Sequence, residues 1–272
     1  MSENAVHILT PITMLSDNGR LVTQLAKREI AARYRGSMLG ILWSLLNPLV
    51  LLATYTFVFG TVLKLRWTSG TETTPEFAAI VFCGMIVHGF FAECVARAPG
   101  LVLSNANYVK RVVFPLATLV WPTVIAALFQ MAVSFAVLVA FLAFGAAQLH
   151  ATLLLAPIVI APLVLVTLGV CWFVSAIGVY LRDIGQTVGL IITLLMFVSP
   201  IFYPLSAVPE AYRGLVKANF LTFIIEQFRA VVIAGALPDW GGLAIYAVAS
   251  VVVAWAGLYW FDRSRKGFAD VM

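Results

Sequence analysis

Charged residues are scarce in this chain of 272 residues. They make up 11% of the sequence, whereas hydrophobic residues make up 62%. Because soluble domains carry about a quarter charged residues, this composition excludes an ordinary soluble protein and indicates an integral membrane protein. The chain is still basic, with a net charge of +5. The placement of its positive charges, described below, attributes this basicity to membrane topology and predicts no nucleic-acid partner.

Residues that carry catalytic or metal chemistry are also few. The three cysteines and three histidines lie without metal-ligand spacing, and no Gly-Lys-Ser/Thr phosphate-binding motif occurs. Glu93 is the one carboxylate within a predicted span, where it could serve as an interhelical partner or as a proton relay. We therefore predict no catalytic residue, no metal and no cofactor in this chain. Energy for any uphill transport would come from a partner.

Long uncharged stretches are the main feature that the sequence does have. A bilayer core of about 30 Å needs about 20 apolar residues, and the stretches predict an all-α integral membrane protein with six transmembrane helices in a single domain over residues 1–272. The segment 205–239 is too polar to span and too apolar for a free loop, which favours one or two re-entrant or interface-lying outer helices. The predicted spans lie within residues 36–63, 77–97, 112–181 (two helices with a turn at 145–150), 184–209 and 240–261.

The positive charges divide unequally between the two sides of these six spans. An even number of spans puts both termini on one side, and the positive-inside rule makes the side with more Lys and Arg cytoplasmic. We therefore predict a multi-pass protein of the plasma (inner) membrane with both termini in the cytoplasm. The inner set is Arg20, Lys27, Arg28, Arg33, Arg35, Arg97, Lys110, Arg111, Arg182, Arg263, Arg265 and Lys266; the outer set is Lys64, Arg66, Arg213, Lys217 and Arg229.

A basic segment, residues 20–36, precedes the first span. At the helical period its positive side chains fall in one arc and its aliphatic side chains fill most of the rest. This pattern is typical of an amphipathic helix on the cytoplasmic membrane surface, although a solvated helix before a span is the alternative. Glu29 and Arg33 stand four residues apart, in the order that favours an ion pair along one helix.

The segment 104–114 between the second and third spans combines amides, an aromatic hydroxyl and adjacent bases. These groups can dock a partner by hydrogen bonding and by attraction to acidic side chains. The other interpretation is a helix-end turn whose bases only anchor the topology. The residues concerned are Asn105, Asn107, Tyr108, Lys110 and Arg111.

Aromatic residues recur at one depth of the first and fifth spans. Tyr55 and Phe59 share a helix face at the outer half of the first span, and Phe197, Phe202 and Tyr203 lie near the outer end of the fifth. Rings with a polar edge can stack on sugars in a wet path, so we predict that these five residues line a pore near its outer mouth. Packing against lipid is the alternative for each of them.

Four stretches together resemble polysaccharide-exporting ABC permeases of the ABC-2 class, the O-antigen (Wzm-like) and teichoic acid exporters. They are Arg28-Glu29-Ile30 with the run from Arg35 to Pro48, the run from Asn105 to Pro115, Tyr180–Gln186, and Ser199–Pro204. The matches follow the family's order from about residue 25 to 240. At Asn219-Phe220-Leu221-Thr222 the family usually has proline after asparagine, which leaves open where the second outer helix begins.

The resemblance implies a homodimer with a pore along its axis and two cytoplasmic ATPase subunits, which would bind the ATP and Mg²⁺. The segment 104–114 and the basic helix, with Arg28, Glu29 and Arg33, would face those ATPases. The implied cargo is a lipid-linked polysaccharide such as an O-antigen. A teichoic acid, a capsular polymer, another lipid or a drug are alternatives, and a membrane-embedded glycolipid transferase is a different class.

Overall fold

The protein is mostly helical over the residues that the structure, a computed structural model, describes: 10–63, 67, 74–106, 115–146, 148–181 and 183–271. These residues contain no β-strand. The α-helices are α1 (Thr10–Asp17), α2 (Gly19–Tyr34), α3 (Trp43–Tyr55), α4 (Thr74–Arg97), α5 (Val120–Phe141), α6 (Ala156–Tyr180), α7 (Ile184–Val198), α8 (Glu210–Ala218), α9 (Phe220–Val232), α10 (Trp240–Ser264) and α11 (Phe268–Val271).

Within the part of the chain that the structure describes, five helical stretches are long and apolar enough to cross a bilayer. The stretch around α3 continues from a 3₁₀ turn into a π-helix, and short 3₁₀ or π segments also extend α5 and α6. The helix α7 is apolar but has 15 residues, about 22 Å at the α-helical rise. The all-α membrane class is confirmed, while a sixth complete span stays a prediction. The five stretches are Gly40–Val62, Pro75–Gly100, Leu116–Phe144, Ala151–Tyr180 and Trp240–Gly267.

Local chemistry explains where the helices of the outer segment begin and end. Ser199, which precedes Pro200, has an extended backbone (φ −77°, ψ 146°), as the proline ring requires, so α7 ends at Val198. Asn219 begins α9 as its N-cap, because its side chain accepts a hydrogen bond from the Leu221 amide at 3.0 Å. The cap supplies a helix start without the proline that the family usually has there.

The closest helix contact joins α6 to α10. A Cβ placed on Gly257 would lie 2.0 Å from the carbonyl oxygen of Gly169, and one on Gly169 would lie 2.4 Å from the carbonyl oxygen of Val253. Small residues allow transmembrane backbones to approach in this way, and the approach maximises van der Waals contact. Next to this crossing Trp172 is fully buried and donates its indole N–H to the Ala117 carbonyl at 2.8 Å.

Contacts between helix ends distinguish two ends of the bundle. At the first, which we call the basic end, Gly178 of α6 lies against the Pro99 carbonyl that follows α4, and Tyr180 donates to the Ser264 carbonyl at 2.8 Å. At the opposite end, Thr152 donates to the Val231 carbonyl of α9 at 2.7 Å. The helix α9 packs between α4 and α6 there, so the outer segment forms part of the bundle.

Candidate functional site

Four charged residues join α2 to the basic end of α4. Arg97 donates from Nη1 to Oε1 of Glu29 at 2.7 Å, and Arg33 forms an ion pair with Glu93. Arg97 also lies 3.8 Å from the Glu93 carboxylate, one helical turn away. Each charge thus faces at least one of opposite sign, which offsets the cost of removing the group from water. We call Glu29, Arg33, Glu93 and Arg97 the four-charge cluster.

The cluster changes the interpretation of two residues predicted from the helix pattern. The spacing of Glu29 and Arg33 favours an ion pair along α2, but in the structure each of them pairs with α4. α2 packs mainly against α5, and there its charged side chains reach those at the end of α4. The expectation that Glu93 is an interhelical partner is confirmed. Arg28, on the same helix, is exposed.

The predicted coupling segment is described only in part. Asn105 lies in a short 3₁₀ turn after α4, and its side-chain amide donates to the Leu101 carbonyl at 2.9 Å and to the Ser104 hydroxyl at 3.3 Å. The side chain therefore stabilises this turn. Asn107, Tyr108, Lys110 and Arg111 lie outside the described residues.

Four of the five predicted pore residues form a continuous series of ring contacts. The ring of Phe59 lies 6.1 Å from that of Tyr55 and 5.6 Å from that of Phe202, which in turn lies 6.4 Å from Phe197. Phe197 is 60% exposed, whereas the other three are half-buried. We call these four residues the aromatic cluster. The structure thus brings together side chains of α7, of the turn after it and of the α3 stretch.

The fifth predicted pore residue, Tyr203, also stabilises the end of α7. Its hydroxyl donates to the carbonyl oxygens of Phe197 at 2.9 Å and Val198 at 3.2 Å. These carbonyls belong to the last turn of α7, which has no intrahelical donors left for them. Tyr203 therefore caps α7 and fixes the turn on which Phe202 lies.

Arg229 is the functional candidate that the sequence analysis did not identify. Its guanidinium donates to the carbonyls of Ile80 at 3.0 Å, Pro200 at 2.6 Å and Ile201 at 2.9 Å, and to the Glu226 carboxylate at 2.9 Å. It also lies 4.4 Å from the centre of the Trp67 ring, within the range of a cation–π contact. One side chain thus fastens α9 to α4 and to the turn after α7.

The sequence contains a weak signal for this role. Arg229 follows Glu226 by three residues in an otherwise apolar helix, and a cation in such a helix needs several partners. The charge distribution assigned Arg229 to the outer positive charges but gave no information about the partners that its guanidinium needs. The Pro200 break supplies two of the partners, the carbonyls of Pro200 and Ile201, because the chain there leaves helical geometry and frees carbonyl oxygens.

A cleft of about 240 Å³ lies between α3, α4 and α5. Its wall is mostly apolar, with polar groups from Asn47, Glu93, Gln130 and Ser134. Gln130 accepts a hydrogen bond from Tyr34 of α2 at 3.0 Å and donates to the Ser44 carbonyl of α3 at 2.9 Å. The cleft therefore borders the four-charge cluster through Glu93.

Most of the chain matches a known protein family. Residues 20–233, from α2 through α9, match the family model described as ABC-2 type transporter.

Relatives match over almost the whole chain. It is 30% identical over 253 residues to the O-antigen export system permease protein RfbA of Myxococcus xanthus, covering 92% of this chain and 94% of that protein. It is 24% identical to the RfbA permease of Klebsiella pneumoniae, over 93% and 95% of the two chains. It is also 24% identical to the polysialic acid transport protein KpsM of Escherichia coli, over 90% and 93%. These relatives are named as permeases or transport proteins, and this chain belongs to the ABC-2 type transporter family.

Proposed function

We propose that this chain is the transmembrane permease subunit of an ATP-driven exporter of a lipid-linked polysaccharide. The observation that carries the proposal is the similarity over at least 90% of the chain to export and transport proteins of this kind. The cargoes in their names, O-antigen and polysialic acid, are both sugar polymers. Teichoic acid, capsular polymer, another lipid or a drug are the alternative cargoes.

The ABC-2 family works with a separate ATPase subunit. In the proposal two copies of that subunit bind ATP and Mg²⁺ and dock against the segment 104–114, with Asn107, Tyr108, Lys110 and Arg111 at the contact. Exposed Arg28 of α2 adds a further positive charge for the ATPase to contact. The basic end then faces the cytoplasm, as the distribution of Lys and Arg favours.

Two copies of the chain would form the pore. In the α3 stretch only 17% of the most apolar 18-residue segment is buried within the chain. The helix α7 exposes the side chains of Leu190, Leu194 and Phe197 by 54–61%. A second copy placed on these faces would bury them and would bring two aromatic clusters around one axis. A sugar polymer needs many weak contacts along such a path, since strong binding at one site slows release.

Co-purification of the tagged chain with a nucleotide-binding ATPase subunit is the direct test. The tagged chain should bring down that ATPase in a one-to-one ratio, and the complex in vesicles should export polymer in an ATP-dependent manner. Replacing Lys110 and Arg111 by glutamate should weaken ATPase binding, because the docking charge is reversed. Lys217→Glu, an exposed charge reversal in the outer helix α8, is the matched control.

Absence of any ATPase in the purified complex would overturn the proposal. A stable ATPase complex that moves a lipid or a drug but no polymer would keep the transporter and replace its cargo.

A further inference from the structure

The cleft between α3, α4 and α5 runs along α4 for several helical turns. Its α4 wall extends from Phe82 to Glu93, which is about 16 Å at the α-helical rise. This wall is apolar as far as Phe90, and Glu93 lies at its limit towards the basic end. All three helices belong to stretches that are long and apolar enough to cross a bilayer. The cleft is therefore an apolar groove at the depth of the hydrocarbon, with a charged group at one end.

Gly89 keeps the middle of this cleft open. It lines the cleft, and apart from its own helical turns no atom of the described residues lies within 4 Å of the position that a Cβ would take on it. Gly84 of the same helix differs, because a Cβ there would lie 3.3 Å from the Cα atom of Ile201. Close packing within the chain thus accounts for glycine at 84 and not at 89. The missing side chain at Gly89 leaves room for a molecule from outside.

The side of α3 on which the cleft opens indicates what that molecule is. Asn47 and Leu51 form the α3 wall of the cleft, and both are exposed. Leu45 and Leu49 belong to the α3 face proposed for a second copy, and by the helical period they lie about a third of a turn or more around the helix from this wall. The cleft thus opens beside that face, towards the bilayer, where water is excluded and the neighbouring molecules are acyl chains. A chain that enters it gains van der Waals contact with three helices.

The charges at the basic end of the cleft favour an anionic headgroup. Residues 27–33 of α2 and 93–97 of α4 meet in the four-charge cluster and together carry four basic and two acidic side chains. Arg97 is 40% exposed and lies one helical turn beyond Glu93, at the level that the phosphate of a lipid with its chain in the cleft would reach. Its guanidinium uses Nη1 to bind Glu29 and has further donors for phosphate oxygens. Basic groups in this position between transmembrane helices attract anionic lipids.

We propose that the cleft binds one acyl chain of a phospholipid from the bilayer leaflet at the basic end, and that Arg97 binds the anionic headgroup. This lipid is a ligand separate from any exported polymer, since the cleft lies beside the α3 face on which the proposed pore would form. The inference requires insertion in a membrane, and it depends neither on an ATPase nor on the cargo.

Photo-crosslinking with a labelled lipid tests this site. The purified chain is placed in phosphatidylcholine vesicles that contain a small fraction of phosphatidylglycerol with a diazirine in one acyl chain. Illumination should give more adducts on Met85 and Ile86 of the cleft wall than on Val248 and Val252 of α10, although the α10 residues are the more exposed ones. Gly89→Leu, which fills the cleft, should reduce the cleft adducts several-fold and leave those on α10 unchanged.

Two further variants separate loss of the site from loss of the fold. Gly214→Leu adds the same side chain to a helical glycine of α8 whose surroundings are equally open, and it should leave the cleft adducts at the parent level. Arg97→Gln should keep the cleft adducts but remove the preference for labelled phosphatidylglycerol over phosphatidylcholine with the same label. The unfolding midpoint in detergent shows that each variant is folded.

Several results would overturn the proposal. Cleft adducts that are no more abundant than those on α10, or that persist in folded Gly89→Leu, would show that no chain occupies the cleft. Disulfide formation between two copies through Gly89→Cys would show that a second chain covers it. Displacement of the label by a polyisoprenyl phosphate but not by unlabelled phosphatidylglycerol would assign the cleft to a different lipid. Failure of the proposed function would appear separately, as absence of ATP-driven export by a chain that still binds the phospholipid.

Discussion

Replacing Arg229 by methionine removes the contact that fastens α9 to its neighbours. Arg229 is only 6% exposed, and methionine preserves an unbranched apolar stem without any donor. The carbonyl oxygens of Ile80, Pro200 and Ile201 would lose their hydrogen bonds from the guanidinium. Glu226 would lose its cation, but its side chain is 36% exposed and can be hydrated instead.

The magnitude follows from these carbonyls. The Ile80 carbonyl lies inside α4 and keeps the hydrogen bond of that helix, so only the carbonyls of Pro200 and Ile201 would be left without a donor. A buried polar group without a partner costs about 1–3 kcal/mol, so these two correspond to about 2–6 kcal/mol if nothing rearranges. Relaxation of the turn after α7 would reduce this figure. Because Glu226 can be hydrated, the broken ion pair adds little, and we expect Arg229→Met to destabilise the chain by an amount within that range. Arg229→Lys should be intermediate, because an ammonium cannot reproduce the planar fork of donors.

The assay is denaturant unfolding of the purified chain in detergent, compared at the transition midpoint. Lys217→Met, an exposed lysine in the neighbouring helix α8, controls for the loss of a positive charge. A value for Arg229→Met within about 0.5 kcal/mol of the parent, the usual effect of a surface substitution, would refute the reasoning. Such a result would mean that water or other side chains satisfy the two carbonyls equally well.

Two further predictions concern the pore and the helix crossing. The double variant Tyr55→Leu, Tyr203→Leu should export less polymer or let small ions leak through the membrane, while ATPase binding persists. The reason is that the variant lacks the proposed sugar-stacking ring of Tyr55 and the hydroxyl with which Tyr203 caps α7. Normal export without a leak would favour rings that face lipid. Gly257→Val should destabilise the chain by about 1–3 kcal/mol or more through overpacking against α6. Ala256→Val, at the exposed neighbouring position, is the control and should change the unfolding midpoint little. Equal midpoints for the two variants would contradict the close crossing.

The predictions from sequence that the structure confirms depend on local chemistry. The helix that carries Glu93 ends at Arg97, as the run of residues indicated. The first arm of the predicted hairpin is helical to Ala146 and the second is helical from Ala151, and α7 ends just before Pro200. Hydropathy, chain length and proline geometry act over a few residues to a few turns, so they can be read directly along the chain. The family resemblance in the same stretches is confirmed for the same reason.

The sequence by itself determined the membrane class, the approximate spans and the family, because each depends on residue order and composition. Tertiary structure alone decided which charges meet. Glu29 pairs with Arg97, 68 residues away, and Arg229 reaches the Ile80 carbonyl across 149 residues. The Gly169–Gly257 crossing likewise joins residues that are far apart in the chain. These contacts depend on how helices are placed in three dimensions, and no spacing within one helix encodes that placement.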